Sequence, residues 1–257
     1  MSCLNASERV VSQYFTMHGV EHHWIPRTSA PTADLKVFVD PKPVIVEIKE
    51  FAASGKLPTD GYCPVPYVSQ KFRLSWRQFA PYSDHSCCLM LYNAGSRKVW
   101  LHPELILCAM FGEYYQAIDS TRYRFSGNAA MRPDRNTYIS AVAGIFPLVV
   151  DENCIEAGRR VFDLTGGGER ELTQDEAWQI NRDTMSFPRQ VEQLMRVVAM
   201  ENPYARNPLP DGLFTGPFDE RWYRSDDGTV RLKYSGNRVA EMRALLPEYA
   251  RKMMGLW

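Results

Sequence analysis

The most constraining feature of the sequence is the stretch from Ala33 to Phe51, where two runs rich in Val and Ile flank Asp40-Pro41-Lys42-Pro43. Proline cannot donate a hydrogen bond to a sheet, and Pro combined with Asp is typical of turns. Short β-branched runs on both sides of such a turn are typical of paired strands. The stretch is therefore predicted to form a β-hairpin.

Side chains alternate between the two faces of a hairpin, so the sequence predicts what each face carries. The expected register pairs Val39 with Val44, Asp34 with Lys49, and Lys36 with Glu47. One face is wholly apolar and consists of Leu35, Val37, Val39, Val44, Val46 and Ile48. The other face is apolar near the turn and carries two carboxylates and two ammonium groups at its open end: Asp34, Glu47, Lys36 and Lys49.

This clustering of charged groups is suited to metal-assisted hydrolysis of phosphodiesters. Asp34 and Glu47 could bind a hard divalent cation such as Mg²⁺, with water and phosphate oxygens as its other ligands. Lys49 could position the attacking hydroxide or stabilise charge on the phosphorane. A solvated amphipathic hairpin would contain the same residues, and its exposed ion pairs would contribute little stability. Both interpretations remain open from the residues alone.

Asp34 followed by Glu47-Ile48-Lys49 resembles the signature of the PD-(D/E)xK, or restriction-endonuclease-like, nuclease superfamily. The resemblance implies that Asp34 and Glu47 bind the metal, that the Ile48 carbonyl adds a ligand and that Lys49 acts in catalysis. It implies Mg²⁺ as cofactor, with Mn²⁺ as a substitute. Ala33 precedes the aspartate here, where the signature has a proline.

A further candidate, Glu8, lies in the helix expected before the hairpin. Asn5 and the residues after it are typical of a helix start, and Gly19 is typical of its end. In the resembled superfamily a glutamate of the first helix often joins the metal site, which implies that role for Glu8. A carboxylate three residues after Asn5 is equally typical of a capping box.

The segment from Pro66 to Ala80 is predicted to be a helix, after a loop that runs from Ala52 to Pro66. Its packing positions are either Val68, Phe72 and Phe79, or Leu74 and Trp76. The resemblance implies that Gln70 and Lys71 contact the site or the scissile phosphate.

Several basic residues are candidate nucleic-acid contacts, because guanidinium and ammonium groups bind phosphates. Arg73 and Arg77 share one side of the predicted helix with Gln70. Tyr123 and Phe125 interleave with further arginines, so that segment could combine phosphate binding with base stacking. The candidates are Lys36, Lys71, Arg73, Arg77, Arg122 and Arg124. A solvated basic helix and an exposed strand are the alternative interpretations.

Composition and charge set the outer limits. The chain has 257 residues, 45% hydrophobic and 23% charged, which is typical of a globular protein with a substantial core. Lysine plus arginine equals aspartate plus glutamate at 30 each, so nucleic-acid binding would depend on local basic patches. No apolar run approaches the roughly 20 residues of a membrane span, and no leader is visible. We expect a cytoplasmic protein without membrane contact.

The six cysteines and five histidines have no metal-finger spacing, which makes zinc binding and a disulfide framework improbable. Cys87 and Cys88 lie in an apolar run and are expected to be buried free thiols. Gly166-Gly167-Gly168 lacks the flanking residues of a phosphate loop and is expected to be a turn.

The remaining segments predict alternating strands and helices. Strands are expected over Val20 to Pro26, Ser86 to Tyr92 and Lys98 to His102. Helices are expected over Pro103 to Tyr115, from the Thr173 capping box to about Asp183, and over Arg238 to Met254. The segment from Arg189 to Met200 is expected to be either a helix or a helix that continues into a strand. Asp219 and Glu220 are carboxylates with no visible partner in the sequence.

Together these features predict an α/β protein with a restriction-endonuclease-like core, a central mixed sheet and flanking helices. The core is expected over residues 1–115, followed by an accessory α+β region over residues 116–257 that shapes a DNA cleft or a homodimer interface. The predicted function is metal-dependent hydrolysis of DNA phosphodiester bonds. The alternative is a catalytically inactive module of the same fold that binds nucleic acid or assembles with protein.

Overall fold

The computed structural model describes residues 4–39, 42–54, 64–96, 99, 101–112, 114–119, 121–167, 169–186 and 191–246. Ten strands form one mixed sheet: β1 (His22–Trp24), β2 (Leu35–Val39), β3 (Lys42–Ser54), β4 (Ser86–Ser96), β5 (Tyr114–Asp119), β6 (Arg122–Ser126), β7 (Ala141–Asp151), β8 (Val191–Glu201), β9 (Glu220–Arg224) and β10 (Thr229–Ser235). The helices are α1 (Ala6–Met17), α2 (Val65–Phe79), α3 (Pro103–Phe111), α4 (Glu152–Leu164), α5 (Gln174–Ser186) and α6 (Asn237–Leu245).

The strand order across the sheet is β1-β2-β3-β4-β7-β8-β9-β10-β6-β5. The first three strands are antiparallel to one another, whereas β3 and β4, β4 and β7, and β8 and β9 are parallel pairs. The predicted α/β class with a large mixed sheet flanked by helices is thereby confirmed. Strands from both sides of residue 115 join this one sheet, and the division into core and accessory region remains a prediction.

The hairpin forms as predicted, but its register differs by two residues from the expected one. Val39 pairs with Lys42 and Lys36 with Ile45. Only two residues then separate the paired ends, because Pro43 is accommodated at the start of β3 instead of in the turn. A shift of two residues leaves every side chain on its predicted face. The correction therefore places Glu47, and not Lys49, across from Asp34.

Each face of the central strands is covered by a different set of helices. The apolar hairpin face, with Val37 and Val46, packs against Val11 and Phe15 of α1. The opposite face, with Ile45, packs against the cluster that α2 and α3 contribute. Because both of their faces are buried, β3 and β4 are interior strands of the sheet.

The two helices nearest the hairpin follow the sequence signals closely. Asn5 caps α1, and its side chain and that of Glu8 exchange hydrogen bonds with backbone N–H groups in a complete capping box. In α2 the buried packing positions include Val68, Phe72 and Phe79, which confirms the first of the two packing alternatives. Leu74 and Trp76 are each 49% exposed. Cys87 and Cys88 are buried free thiols, as expected.

Several element boundaries differ from the expectations. The first strand is shorter, and α3 ends at Phe111 because Gly112 adopts a positive φ and the chain then enters β5. Val99, Leu101 and His102 are not in a strand, so that prediction is wrong for the described residues. The segment expected to begin as a helix at Arg189 is strand β8 from Val191 onward. The capping box at Thr173 and helix α5 are confirmed.

The end of the chain is described only as far as residue 246. Helix α6 ends at Leu245, and the remainder of the predicted C-terminal helix lies outside the described residues. None of the helices in the described part of the chain combines the length and apolarity that crossing a bilayer requires.

Asp219 and Glu220 have partners, contrary to the expectation from sequence. Asp219 accepts hydrogen bonds from the Tyr14 hydroxyl and from the backbone N–H of Val197, the latter at 2.9 Å. Glu220 forms ion pairs with Arg196 at 3.2 Å and with Arg243 at 2.8 Å. These carboxylates therefore tie α1, β8 and α6 together, and breaking such buried pairs is strongly destabilising.

Packing of α1 on the sheet gives a first prediction. The Phe15 side chain is fully buried between α1 and the sheet, so Phe15→Ala should lower the free energy of unfolding by about 3–5 kcal/mol. Phe38→Ala is the matched control, because Phe38 is 40% exposed, and should cost less than about 1 kcal/mol. Urea denaturation followed by circular dichroism measures both. Equal losses would contradict the assigned packing of α1.

Candidate functional site

The candidate site lies between the start of β2 and the middle of β3. Asp34 directly precedes β2, and its backbone N–H still bonds to the Val46 carbonyl at 3.0 Å. Its carboxylate accepts a hydrogen bond from the Ile48 N–H at 2.8 Å. The side chain of Asp34 thus satisfies a backbone donor of β3 beyond the end of β2. This bond fixes the position of the Asp34 carboxylate beside β3.

Glu47 is the neighbour of Asp34 and is buried, with only 3% of its surface exposed. The carboxyl groups of Glu47 and Asp34 lie close enough for each to affect the pKa of the other. Burial and, to a lesser extent, the charge of Asp34 raise the pKa of Glu47 to about 8, against the opposing effect of Lys49. The pKa of Asp34 is also raised, mainly by burial. Two crowded, desolvated carboxyls of this kind retain a proton between them.

Lys49 completes the predicted triplet, and its ammonium donates a hydrogen bond to Glu47 Oε1. The second oxygen of the same carboxyl, Oε2, is buried and has no hydrogen-bond partner among the described residues. Lys71 of α2 lies close to this pair: burial and the charge of Lys49 lower its pKa, and its ammonium donates to the Glu50 carbonyl at 3.0 Å. The structure therefore brings two carboxylates and two lysines together.

Glu8 lies near this group but has other partners. Its charge contributes to the raised pKa of Asp34, which places the two carboxylates in electrostatic contact. One Glu8 oxygen accepts from the Asn5 backbone N–H at 2.8 Å, and the other forms an ion pair with Arg27. The capping role expected from sequence is confirmed. A role as metal ligand stays a prediction and requires the ion pair with Arg27 to open.

Gln70, Arg73 and the predicted basic side of α2 line an open cleft of about 700 Å³. Its far wall comes from the segment after β6, which contributes Arg135 and Asn136. Arg77 lies further along the same helix, with its guanidinium 5.7 Å from the centre of the Trp76 ring. Helix α2 thus forms one wall of the cleft and also carries Lys71, which lies near the carboxylates.

Three of the predicted nucleic-acid contacts lie apart from this cleft. Lys36 pairs with Ile45 inside the hairpin and is half-buried. Arg122 forms an ion pair with Asp119 at 2.5 Å, whereas Arg124 is exposed. Both arginines belong to β6, which is six positions from β3 in the strand order. Contact of these residues with nucleic acid stays a prediction.

The donor set at Asp34 and Glu47 fits a hard divalent cation, which prefers carboxylate oxygens. A cation there would neutralise both carboxylates and give Glu47 Oε2 a partner. Among the described residues, no group of three or more His, Cys, Asp and Glu side chains could hold a metal ion. The protein therefore offers two carboxylates, and water, a phosphate oxygen and the Ile48 carbonyl would have to supply the other ligands.

Sequence reasoning missed the residues that face α2 from elsewhere in the chain. Arg135 and Asn136 line the cleft with Gln70, and Tyr138 donates a hydrogen bond to the Phe72 carbonyl at 3.1 Å. The arginines of this segment were visible in the sequence, but no local pattern indicated that they would lie against α2. Only the long-range packing of the segment reveals the cleft.

Comparison with known proteins gives no relative from which the role of this site could be inferred. No protein-family model, no curated protein and no solved structure matches the chain. The functional argument therefore depends on the site itself.

The raised pKa of Glu47 predicts a pH-dependent stability. The folded state binds the proton more tightly than the unfolded state, whose reference pKa is 4.5, so the stabilisation is present below that pH and is lost as the pH rises towards 8. Without divalent cation, Glu47→Gln should increase the free energy of unfolding relative to the wild type by roughly 2–4 kcal/mol at pH 8.5 and much less at pH 4.5.

Urea denaturation across this pH range, in the presence of a chelator, measures the difference. Glu50→Gln is the matched control, because Glu50 belongs to the same strand but its carboxylate accepts from the Ser7 N–H of α1. An identical pH dependence for Glu47→Gln and the wild type would show that the Glu47 carboxyl is not desolvated as described.

Proposed function

We propose that this protein is a metal-dependent nuclease that hydrolyses DNA phosphodiester bonds. The observation that carries the proposal is the contact between the Asp34 and Glu47 carboxyls beside Lys49, with one buried Glu47 oxygen that has no hydrogen-bond partner. A structural ion pair would not need a second carboxylate at the same place. A site for a divalent cation does.

The order of the elements supports the same proposal. Helix α1, strand β1, the β2-β3 hairpin, helix α2 and strand β4 follow one another as the resemblance to the PD-(D/E)xK superfamily implies. Asp34 stands at the start of β2 and the Glu47-Ile48-Lys49 triplet lies within β3. The proposal therefore includes a restriction-endonuclease-like core as its fold.

Each site residue has a distinct role in the proposed reaction. Asp34 and Glu47 would hold Mg²⁺, and the bound ion would supply polarisation of the scissile phosphate and activation of a water. Lys49, placed beside Glu47, orients the attacking water and stabilises the charge that develops on the phosphorane. Lys71 and Gln70, on the adjacent helix, bind the phosphate backbone next to the scissile bond. The hydrogen bond from Ile48 keeps Asp34 aimed at the same point.

The second candidate function is a catalytically inactive module that binds nucleic acid or protein. The ion pair between Lys49 and Glu47 favours it, because the ammonium occupies one carboxylate oxygen that a cation would need. In that case the lysine takes the place of the metal and the fold serves binding alone. The two functions differ in their response to divalent cations.

Cleavage assays test the nuclease. Asp34→Asn, Glu47→Gln and Lys49→Met should each lower the rate of Mg²⁺-dependent DNA hydrolysis by about 100-fold or more, since single groups that stabilise charge in a transition state contribute on this scale. Lys42→Met is the matched control, because Lys42 is exposed and lies at the other end of the hairpin, where it pairs with Val39. Plasmid and oligonucleotide substrates are followed on gels. Full activity in all three site variants would overturn the assignment.

Calorimetric titration with Mn²⁺ separates the two candidate functions without any substrate. The nuclease should bind Mn²⁺ with release of the proton shared by the carboxyls, and Asp34→Asn should abolish the binding. Heat of binding measured in buffers of different ionisation enthalpy reports the proton release. A wild-type protein that binds no Mn²⁺ would favour the inactive module.

A further inference from the structure

The exposed side of α2 carries two large aromatic side chains, Tyr67 and Trp76, which do not contribute to packing of the helix on the sheet. Tyr67 is 44% exposed, and Trp76 is 49% exposed. The Arg77 guanidinium lies 5.7 Å from the centre of the Trp76 ring, so cation and indole form one platform. Stacked arginine and tryptophan side chains are typical of surfaces that bind planar rings next to negative charge.

The arginines around α2 differ from those of α4 and α6. On α4, α5 and their neighbours, arginines such as Arg159 and Arg160 form ion pairs with carboxylates. No carboxylate among the described residues lies within ion-pair distance of Arg73, Arg77, Arg132, Arg135 or Arg206. The net charge of the protein is zero, so this surface carries a local positive excess that the whole chain does not.

A tight turn carries two of these arginines, Arg132 and Arg135, of which Arg135 lines the cleft. Arg132 and Arg135 exchange backbone hydrogen bonds at 3.3 and 3.1 Å, which closes the turn. The Asn136 amide donates to the Ala130 carbonyl at 2.8 Å, and Tyr138 anchors the segment to α2 through the Phe72 carbonyl. The turn is thus held against the helix, and its guanidinium groups remain exposed.

An aromatic pocket lies at the end of α2, and we define it by its lining residues. It has a volume of about 240 Å³ and is lined by Trp76, Phe79, Ala80, Tyr82, Ser83, His85, Tyr138 and Arg206. The Phe79 and Tyr138 rings are 6.3 Å apart, and the Tyr82 and His85 rings meet edge to face at 6.2 Å. Asp84 binds His85 at 2.7 Å. Arg206 is the exposed cation at the rim.

We propose that this surface binds an unpaired DNA strand, with one base inserted in the aromatic pocket and its phosphates on the arginines of α2 and of the turn. A base inside a duplex is stacked on both faces, so only an unpaired or extruded base can enter such a pocket. The inference rests on the proposed function in one respect: the bound strand leads to the carboxylates of the candidate site.

The helical arrangement supports this path. At 3.6 residues per turn, Lys71 and Trp76 lie on opposite flanks of α2, and Gln70, Arg73 and Arg77 lie between them. A strand that crosses the exposed side of this helix would thus pass over the arginines between the aromatic pocket and Lys71.

Fluorescence anisotropy with a labelled 12-nucleotide DNA strand, in a chelator so that no cleavage occurs, tests the inference. The wild type should bind this strand more tightly than the blunt duplex of the same sequence. Trp76→Ala should weaken binding about 10-fold to 100-fold, because stacking on one aromatic side chain contributes on that scale. Trp76→Phe should restore most of the affinity, since it keeps a ring.

Two matched controls isolate stacking from charge and from folding. Trp178→Ala removes a tryptophan that is 67% exposed on α5, and it should leave binding unchanged. A strand of abasic nucleotides keeps the phosphates but lacks the bases, so it should bind weakly and should not respond to Trp76→Ala. The melting temperature of each variant shows whether it is folded.

The outcomes separate this inference from the nuclease itself. Tight binding of the single strand that depends on Trp76, without any cleavage in Mg²⁺, would support the surface and contradict the nuclease. Cleavage of duplex DNA that is unaffected by Trp76→Ala would support the nuclease and overturn the surface. Equal affinity for the DNA strand and its duplex would also overturn the inference. So would tight binding of an RNA strand of the same sequence combined with weak binding of the DNA strand.

Discussion

Strand β3 is covered on both faces, by α1 on one side and by α2 and α3 on the other. Any side chain at its centre is therefore removed from water, and Glu47 is a carboxyl at that centre. Desolvation of a carboxylate costs several kcal/mol unless a proton, a cation or hydrogen bonds compensate it. The raised pKa of Glu47 and its contact with Lys49 both follow from this one constraint, and a divalent cation would be a further way to compensate it in the proposed function.

The hairpin register determines which side chain lies across from Glu47. Because β2 begins only after Asp34, the part of β3 that follows Val46 has no paired residue of β2 beside it, and the Asp34 carboxylate accepts the Ile48 N–H instead. The same bond brings the second carboxyl against Glu47. A feature that completes the hydrogen bonding of the sheet thus also assembles the pair of acids that the proposed chemistry needs.

Charge is distributed unevenly over a chain whose net charge is zero. The arginines of the later helices form pairs with carboxylates, such as Arg238 with Glu152 and Arg159 with Glu241. Those around α2 have no such partner among the described residues and surround a cleft and an aromatic pocket. This local excess is where a polyanion would bind, since phosphate binding depends on nearby cations and not on the net charge of the protein.

Local sequence determined the elements near the site and the faces of the hairpin. The capping box at Asn5 and Glu8 and the alternation along β2 and β3 are short-range signals, and the structure contains both of them. The signals failed where the outcome depended on distant residues. β8 forms a strand from a segment with helical spacing because it pairs with β7 over eleven residues, and tertiary pairing overrides local propensity.

Only the tertiary structure decided which charged groups meet and how deeply they are buried. The sequence indicated that Asp34, Glu47 and Lys49 share a face, but the register of β2 against β3 decided that the two carboxyls are neighbours. Tertiary packing also placed the arginine turn and Arg206 beside α2, although they are more than fifty residues away from it in sequence. Side-chain periodicity is a property of neighbouring residues, whereas burial, pKa and the sharing of a surface depend on which segments pack together.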